Sequence, residues 1–204
     1  MKLYDSIGPN PKLVRMFAAE KGIAFSDTET VDIMAGDNRK EPFLSKNPAG
    51  GMPAVELDDG TIIAETIAIC ELLEETKPEP ALIGSNAQER AETRMWVRRV
   101  EWKIIQPLTD GFRNAEGIGL FASRFRTDET VAPFFKAVAQ DGLGWLDAQL
   151  AGRTTIVPDR FTLADVALFA IAEFGAGVGQ PIDPAHKNVS AWFEATQKRE
   201  SAQA

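Results

Sequence analysis

Apolar and polar positions alternate along the chain in two different rhythms. Residues 2–5 read as a short strand that stops at Gly8-Pro9. Residues 10–22 then carry Leu13, Val14, Phe17 and Ala18 at the spacing of one helix face. Asn10 is a good N-cap there, Pro11 suits the first helical position, and Gly22 closes the helix. Residues 26–32 alternate as a strand does. Residues 33–51 are polar and irregular, with a short helix near Pro42–Lys46. Ala54–Leu57, the turn Asp58-Asp59-Gly60 and Thr61–Ala64 form a hairpin. Residues 66–76 are a helix with Ile69, Leu72 and Leu73 facing a core.

That β-α-β-(α)-β-β-α order fills residues 1–76, and Lys77-Pro78-Glu79-Pro80 breaks it. Beyond residue 86 the period is helical, with helices expected at 87–109, 129–150, 162–175 and 188–199. The expected division is an α/β domain over 1–77, a linker over 78–86 and an all-helical domain over 87–204.

Composition narrows the possible functions. Apolar residues at 44% and charged residues at 25% describe an ordinary globular chain that builds its own core. The net charge of −8 disfavours general attraction to nucleic acid or anionic lipid, so an anionic ligand must be held by local groups. No window has the length of a transmembrane helix, and the N-terminus lacks the apolar stretch of a signal peptide. The single cysteine, Cys70, excludes an internal disulfide and fits a reducing, cytoplasmic setting. One His and one Cys far apart make no zinc site.

Several positions carry candidate chemistry. Glu65-Thr66 sits where a strand ends and a helix begins. Free N–H groups and the positive helix end make such a place an anion site, although Thr is also a common cap there. Pro53 opens a strand after Gly50-Gly51-Met52, which by itself fits an ordinary edge proline. Asn38, Arg39 and Lys40 form a polar, basic loop before Phe43. Thr162 and Asp165 make a capping box, with Phe161 placed to staple onto Val166. Cys70 lies among apolar helical neighbours and reads as a buried, inert thiol, and His186 reads as surface.

Four stretches together resemble the glutathione transferase family, whose first domain has a thioredoxin-type fold. The first is Lys2-Leu3-Tyr4 running into Gly8-Pro9-Asn10-Pro11. The second, Phe43 to Val55, is similar to the family's F-L-x-x-N-P-x-G-x-V-P-x-L. The third is Glu65-Thr66, where the family has Glu or Gln followed by Ser. The fourth, Phe161 to Val166, is similar to its T-x-A-D helix start. They span the chain in the family's order.

The resemblance implies a thioredoxin-like α/β domain followed by an all-α domain, with glutathione as co-substrate and no metal. It implies a cis Met52–Pro53 bond that turns the backbone of Met52 outward, so a tripeptide pairs with it as an added strand. It places the γ-glutamyl carboxylate on Thr66 and the ammonium on Glu65. The glycyl carboxylate falls to Asn38 or Lys40, with Lys40 the better match and Arg39 a spare. A small hydrophobic electrophile would lie against the helical half, where Phe112 is named from a set that includes Phe121, Phe125, Trp96 and Trp102. A homodimer is implied as well.

The family activates sulfur with a Tyr, Ser or Cys between the first strand and first helix. Here Asn10 falls where cysteine-type bacterial members have Cys, and Ser6 is the loop's own hydroxyl. Relatives with Asn or Thr there favour disulfide or peroxide chemistry. The implied activities are therefore conjugation, glutathione-dependent reduction, or binding without catalysis. A free thiol has a pKa of about 8.5, and a thiolate at a helix N-terminus gains from the dipole and from an amide donor.

Overall fold

The computed structural model describes residues 1–204. Contacts divide the chain into two units, Met1–Ile83 with Glu200–Ala204, and Gly84–Arg199. The first unit holds strand β1 (Lys2–Asp5), helix α1 (Pro9–Glu20), β2 (Asp27–Thr30), α2 (Phe43–Lys46), β3 (Ala54–Glu56), β4 (Ile62–Ala64) and α3 (Thr66–Thr76). The sheet order is β2-β1-β3-β4, with β1 and β2 parallel and the other pairs antiparallel. This mixed sheet with helices, followed by helices alone, is the expected fold class.

Strand alternation buries residues on both faces of β1 and β3, while β2 is exposed along its whole length. Tyr4 and Ala54 join Val31 and Phe43 in one cluster on the α2 side, and Tyr4 packs edge-on to Phe43. Leu3 and Val55 turn the other way; α1 and α3 pack against each other, and Leu13, Val14, Phe17, Ile69 and Leu73 are buried.

The 66–76 helix has its expected ends, but α1 does not. It begins at Pro9 with Gly8 as N-cap, and Gly8 adopts φ 111. That backbone conformation suits glycine. Asn10 is therefore the second helical residue and not the N-cap.

The segment read as a linker is fastened down. Lys21 Nζ is buried in an ion pair with Glu74 at 2.7 Å. The same ammonium donates to the carbonyls of Pro78, at 2.9 Å, and Pro80, at 2.5 Å. Glu74 in turn accepts the backbone N–H groups of Leu82 and Ile83. Residues 78–83 thus pack with the α/β unit, and so does the last turn, where Ser201 donates to Glu20.

The helical unit contains α4 (Ala87–Val100), α5 (Gln106–Arg113), α6 (Ile118–Phe121), α7 (Ala132–Gln149), α8 (Leu163–Gly177) and α9 (Lys187–Gln197). The single helix expected over 87–109 is interrupted by a wide turn at Glu101–Ile105. Pro107 has no N–H and its ring crowds the carbonyl of Lys103, so the helix widens and Gln106 N–H reaches back to Glu101. Gly142 of α7 faces that carbonyl, and a Cβ on it would lie 2.1 Å from Lys103 O.

The capping box at α8 is present and belongs to a larger network. Asp165 is fully buried and accepts from Thr162 N–H, Ile156 N–H and Trp192 Nε1, each at 2.9 Å. Burial pushes its carboxyl up to about 6 against the pull of these donors.

The Lys21–Glu74 clamp generates a test. Lys21→Met should cost about 3 kcal/mol or more in equilibrium urea unfolding, since it strands a buried carboxylate. Adding Glu74→Leu should not restore stability, because Leu82 and Ile83 N–H then lose their acceptor. Full recovery in the double variant would show a simple ion pair instead of a clamp.

Candidate functional site

The register of the sheet gathers four loops at one end. Tyr4 pairs with Ala54, and Ala54 pairs with Ala64, so these three residues form one row across the sheet. β1 and β4 run out past that row, and β3 runs in from beyond it. Residues 6–8, residues 50–53 and Glu65-Thr66 must therefore emerge side by side. Asp5 pairs with Thr30, so the chain leaving β2 at Val31 emerges there too.

Two helix N-termini meet this end of the sheet, those of α1 and α3. At α3 the first backbone bond is Ile69 N–H to Glu65 O. The N–H groups of Thr66, Ile67 and Ala68 are the open donors of a helix start, and Thr66 adds a hydroxyl. Thr66 is the first helical residue, while Glu65 holds the cap position without a capping side-chain bond. Glu65 is exposed and sits at φ 69, ψ 123, a conformation that costs a side-chain-bearing residue about 1–3 kcal/mol. Such a conformation persists only where the surrounding structure holds the backbone in place.

At α1 the sequence Pro9-Asn10-Pro11 removes two of the first three N–H groups. Asn10 supplies the remaining one, and its side chain is exposed. Ser6 is buried and donates its hydroxyl proton to Val31 O at 2.6 Å. It ties the end of β1 to the chain leaving β2. Arg15 reaches back to Asp5 at 2.7 Å and braces the same loop.

The Met52–Pro53 bond is cis. Met52 lies outside the ladder, which starts at Ala54. The loop before it is held by the polar segment that sequence analysis singled out. Asn38 is buried and its Nδ2 donates to Gly50 O at 2.6 Å, while Arg39 donates to Ala49 O at 2.9 Å. Asn38 thus acts on the site through the loop it braces, and its Oδ1 is buried without a partner. Lys40 is mostly exposed and spends its ammonium on Ala35 O and Asp37. A cavity of about 240 Å³ opens on the α2 side of the sheet, with Tyr4, Val31, Lys40, Phe43 and Lys46 in its lining. It does not include Asn10, Met52, Glu65 or Thr66.

Phe112 belongs to the helical unit. It packs edge-on between Phe174, at 4.8 Å, and Phe121, at 6.0 Å. Cys70 is buried, and burial pushes its thiol well above the ordinary range. Sequence reasoning missed Tyr4 as a polar centre: its hydroxyl donates to Glu56, and Lys2 and Lys46 lie over its ring at 5.1 and 5.3 Å. It also missed Gly8 as the residue that starts α1.

A thioredoxin-like unit with a cis proline facing a helix start, followed by a helical unit, defines a class, and comparison with known proteins gives the family. The Glutathione S-transferase, N-terminal domain profile matches residues 8–76, and the Glutathione S-transferase, C-terminal domain profile matches residues 93–195. The chain belongs to the glutathione S-transferase family. It is 31% identical to Glutathione S-transferase 2 of Saccharomyces cerevisiae, over 98% of this chain and 87% of that one. It is 30% identical to the maleylacetoacetate isomerase of Pseudomonas aeruginosa, over 87% of this chain and 84% of that one. Among solved structures, a glutathione S-transferase domain-containing protein of Marinobacter aquaeolei superposes with a TM-score of 0.92 at 34% identity. The match covers 98% of this chain and 99% of the other.

The strain at Glu65 is directly measurable. Glu65→Gly should stabilise the protein by about 1 kcal/mol in urea unfolding, the relief of the positive φ less the entropy glycine adds to the unfolded chain. Glu65→Ala should give no such gain. A destabilised glycine variant would mean the backbone there is not strained.

Proposed function

We propose that this chain binds glutathione at the shared sheet end and transfers its thiol to a small hydrophobic electrophile. The observation that carries this reading is the meeting of two helix N-termini, an exposed carboxylate on strained backbone, and the unpaired edge at Met52. Each part has a counterpart in the tripeptide. The γ-glutamyl carboxylate takes the open donors of Thr66, Ile67 and Ala68, and the ammonium pairs with Glu65. The cysteinyl backbone pairs with Met52 as an added strand. Lys40 exchanges its exposed contacts for the glycyl carboxylate.

The sulfur then lies at the start of α1. Asn10 N–H and the Asn10 side-chain amide donate to the thiolate, and the helix dipole favours its charge. The thiol proton leaves to solvent. A sulfur lone pair forms the new S–C bond as the leaving group departs with its electron pair. Ser6 is not the activator in this reading, because its proton is committed to Val31 O. A single buried cysteine suits a cytoplasmic protein working beside millimolar thiol. Exposed Trp102, Met95 and Phe134 on the helical unit give a homodimer apolar surface to cover.

The discriminating experiment replaces Asn10 by Asp, which suits a helix start but sets a negative charge beside the sulfur. The pKa of bound glutathione should rise by about one unit or more, read as lost thiolate absorbance at neutral pH, with melting unchanged. Ser6→Ala should leave that pKa in place. The opposite pattern would make Ser6 the activator.

A further inference from the structure

Asn47 closes α2 and is 5% exposed. Its N–H donates to Phe43 O at 2.9 Å, and its own carbonyl accepts Gly50 N–H at 2.8 Å. Its side-chain Nδ2 donates to Gly51 O at 2.9 Å. Arg39 holds Ala49 O and Asn38 holds Gly50 O, so three consecutive carbonyls are each taken by a different side chain. The series stops at Met52, whose N–H and C=O have no partner within the chain.

The last of these bonds bears directly on Met52. A trans peptide unit is planar, and its C=O and N–H point in opposite directions. The Gly51–Met52 bond is trans. Gly51 O and Met52 N–H therefore turn as one body. With the oxygen drawn to the buried amide of Asn47, the N–H points away from it. The Met52 side chain packs against Tyr4, Val31, Phe43 and Ala54, which anchors the residue but not the peptide ahead of it. Gly51 is exposed and has no Cβ to hinder rotation of that peptide. The Asn47 bond is the one hydrogen bond that either end of the unit makes.

We propose that Asn47 is a positioning residue for the cysteinyl segment of the tripeptide, acting through the Gly51–Met52 peptide plane. This rests on the glutathione reading, in which the cysteinyl backbone pairs with Met52 as an added strand. Asn47 does not touch the ligand. It holds Met52 N–H in place before the ligand arrives, so binding does not have to order a Gly-Gly loop. A donor on Gly51 O also polarises the peptide and makes Met52 N–H the better donor. Without that donor, water could satisfy the exposed Gly51 carbonyl, but nothing would fix the plane.

The test titrates glutathione into the intact protein and into Asn47→Asp, by calorimetry and by backbone amide NMR. The aspartate keeps the size of the side chain, removes the donor and sets an oxygen against Gly51 O. Affinity should fall about tenfold, the worth of one well-placed hydrogen bond. At saturation the shifts of Thr66, Ile67 and Ala68 should persist while the Met52 shift is lost, a selectivity that a general loosening of the fold would not give. Asn47→Ala, which leaves Gly51 O to water, repeats the test should the aspartate variant not fold. An affinity within about twofold of the wild type overturns the proposal. So do shifts that fade together at both places, or failure of both variants to fold, since either makes Asn47 a structural residue. A wild-type protein that binds no glutathione, or binds it without moving Met52, overturns the glutathione reading itself and this proposal with it.

Discussion

The row Tyr4–Ala54–Ala64 is the constraint on which the site depends. Side-chain period in a strand is two, so a slip of one residue would turn every strand over and move the loop ends apart. With this register, β1, β3 and β4 all end on one line. The result is positional: groups far apart in sequence, from residues 8–10, 52 and 65–68, are set side by side by backbone pairing alone. Tyr4 anchors the row from below. Its ring is buried against Phe43, and its hydroxyl is held by Glu56 on the neighbouring strand. No catalytic role needs to be assigned to the chain's one tyrosine.

Around that row the protein uses buried charge to organise irregular chain. Glu74 accepts the N–H groups of Leu82 and Ile83, and Lys21 closes off the carbonyls of Pro78 and Pro80. Asp165 does the same in the helical unit for Ile156 and Thr162, with Trp192 as a further donor. In both cases a charge that would be costly alone is surrounded by backbone groups that would be costly alone. Asn38 is a weaker version of the device, bracing Gly50 with one half of its amide while the other half stays unpaired.

Much of this was legible in the sequence where the signal is local. The helix at 66–76, the hairpin around Gly60, the cis proline and the Thr162–Asp165 box follow from neighbouring residues and from the family resemblance. The start of α1 was misread because two prolines compete for the first turn, and the capping rule favours Asn10 over Gly8. The deciding fact is the φ of 111 at Gly8, which depends on how the loop must leave the sheet. The Lys21–Glu74 clamp left one trace: Glu74 shares a helix face with Ile69, Cys70 and Leu73, and a carboxylate at a core position needs a partner. Nothing local names that partner, 53 residues away. The break at Glu101–Ile105 is the work of Pro107, and it depends on Gly142 of α7 making room for Lys103 O.

The central claim is that one tripeptide engages all the loops at this end of the sheet together. Backbone amide NMR during a glutathione titration measures this directly. The account predicts that Asn10, Met52, Thr66, Ile67 and Ala68 shift on a single binding curve, while amides around Gln140 and Gln180 stay still. Shifts confined to one of the two helix starts, or centred on the helical unit, would contradict it.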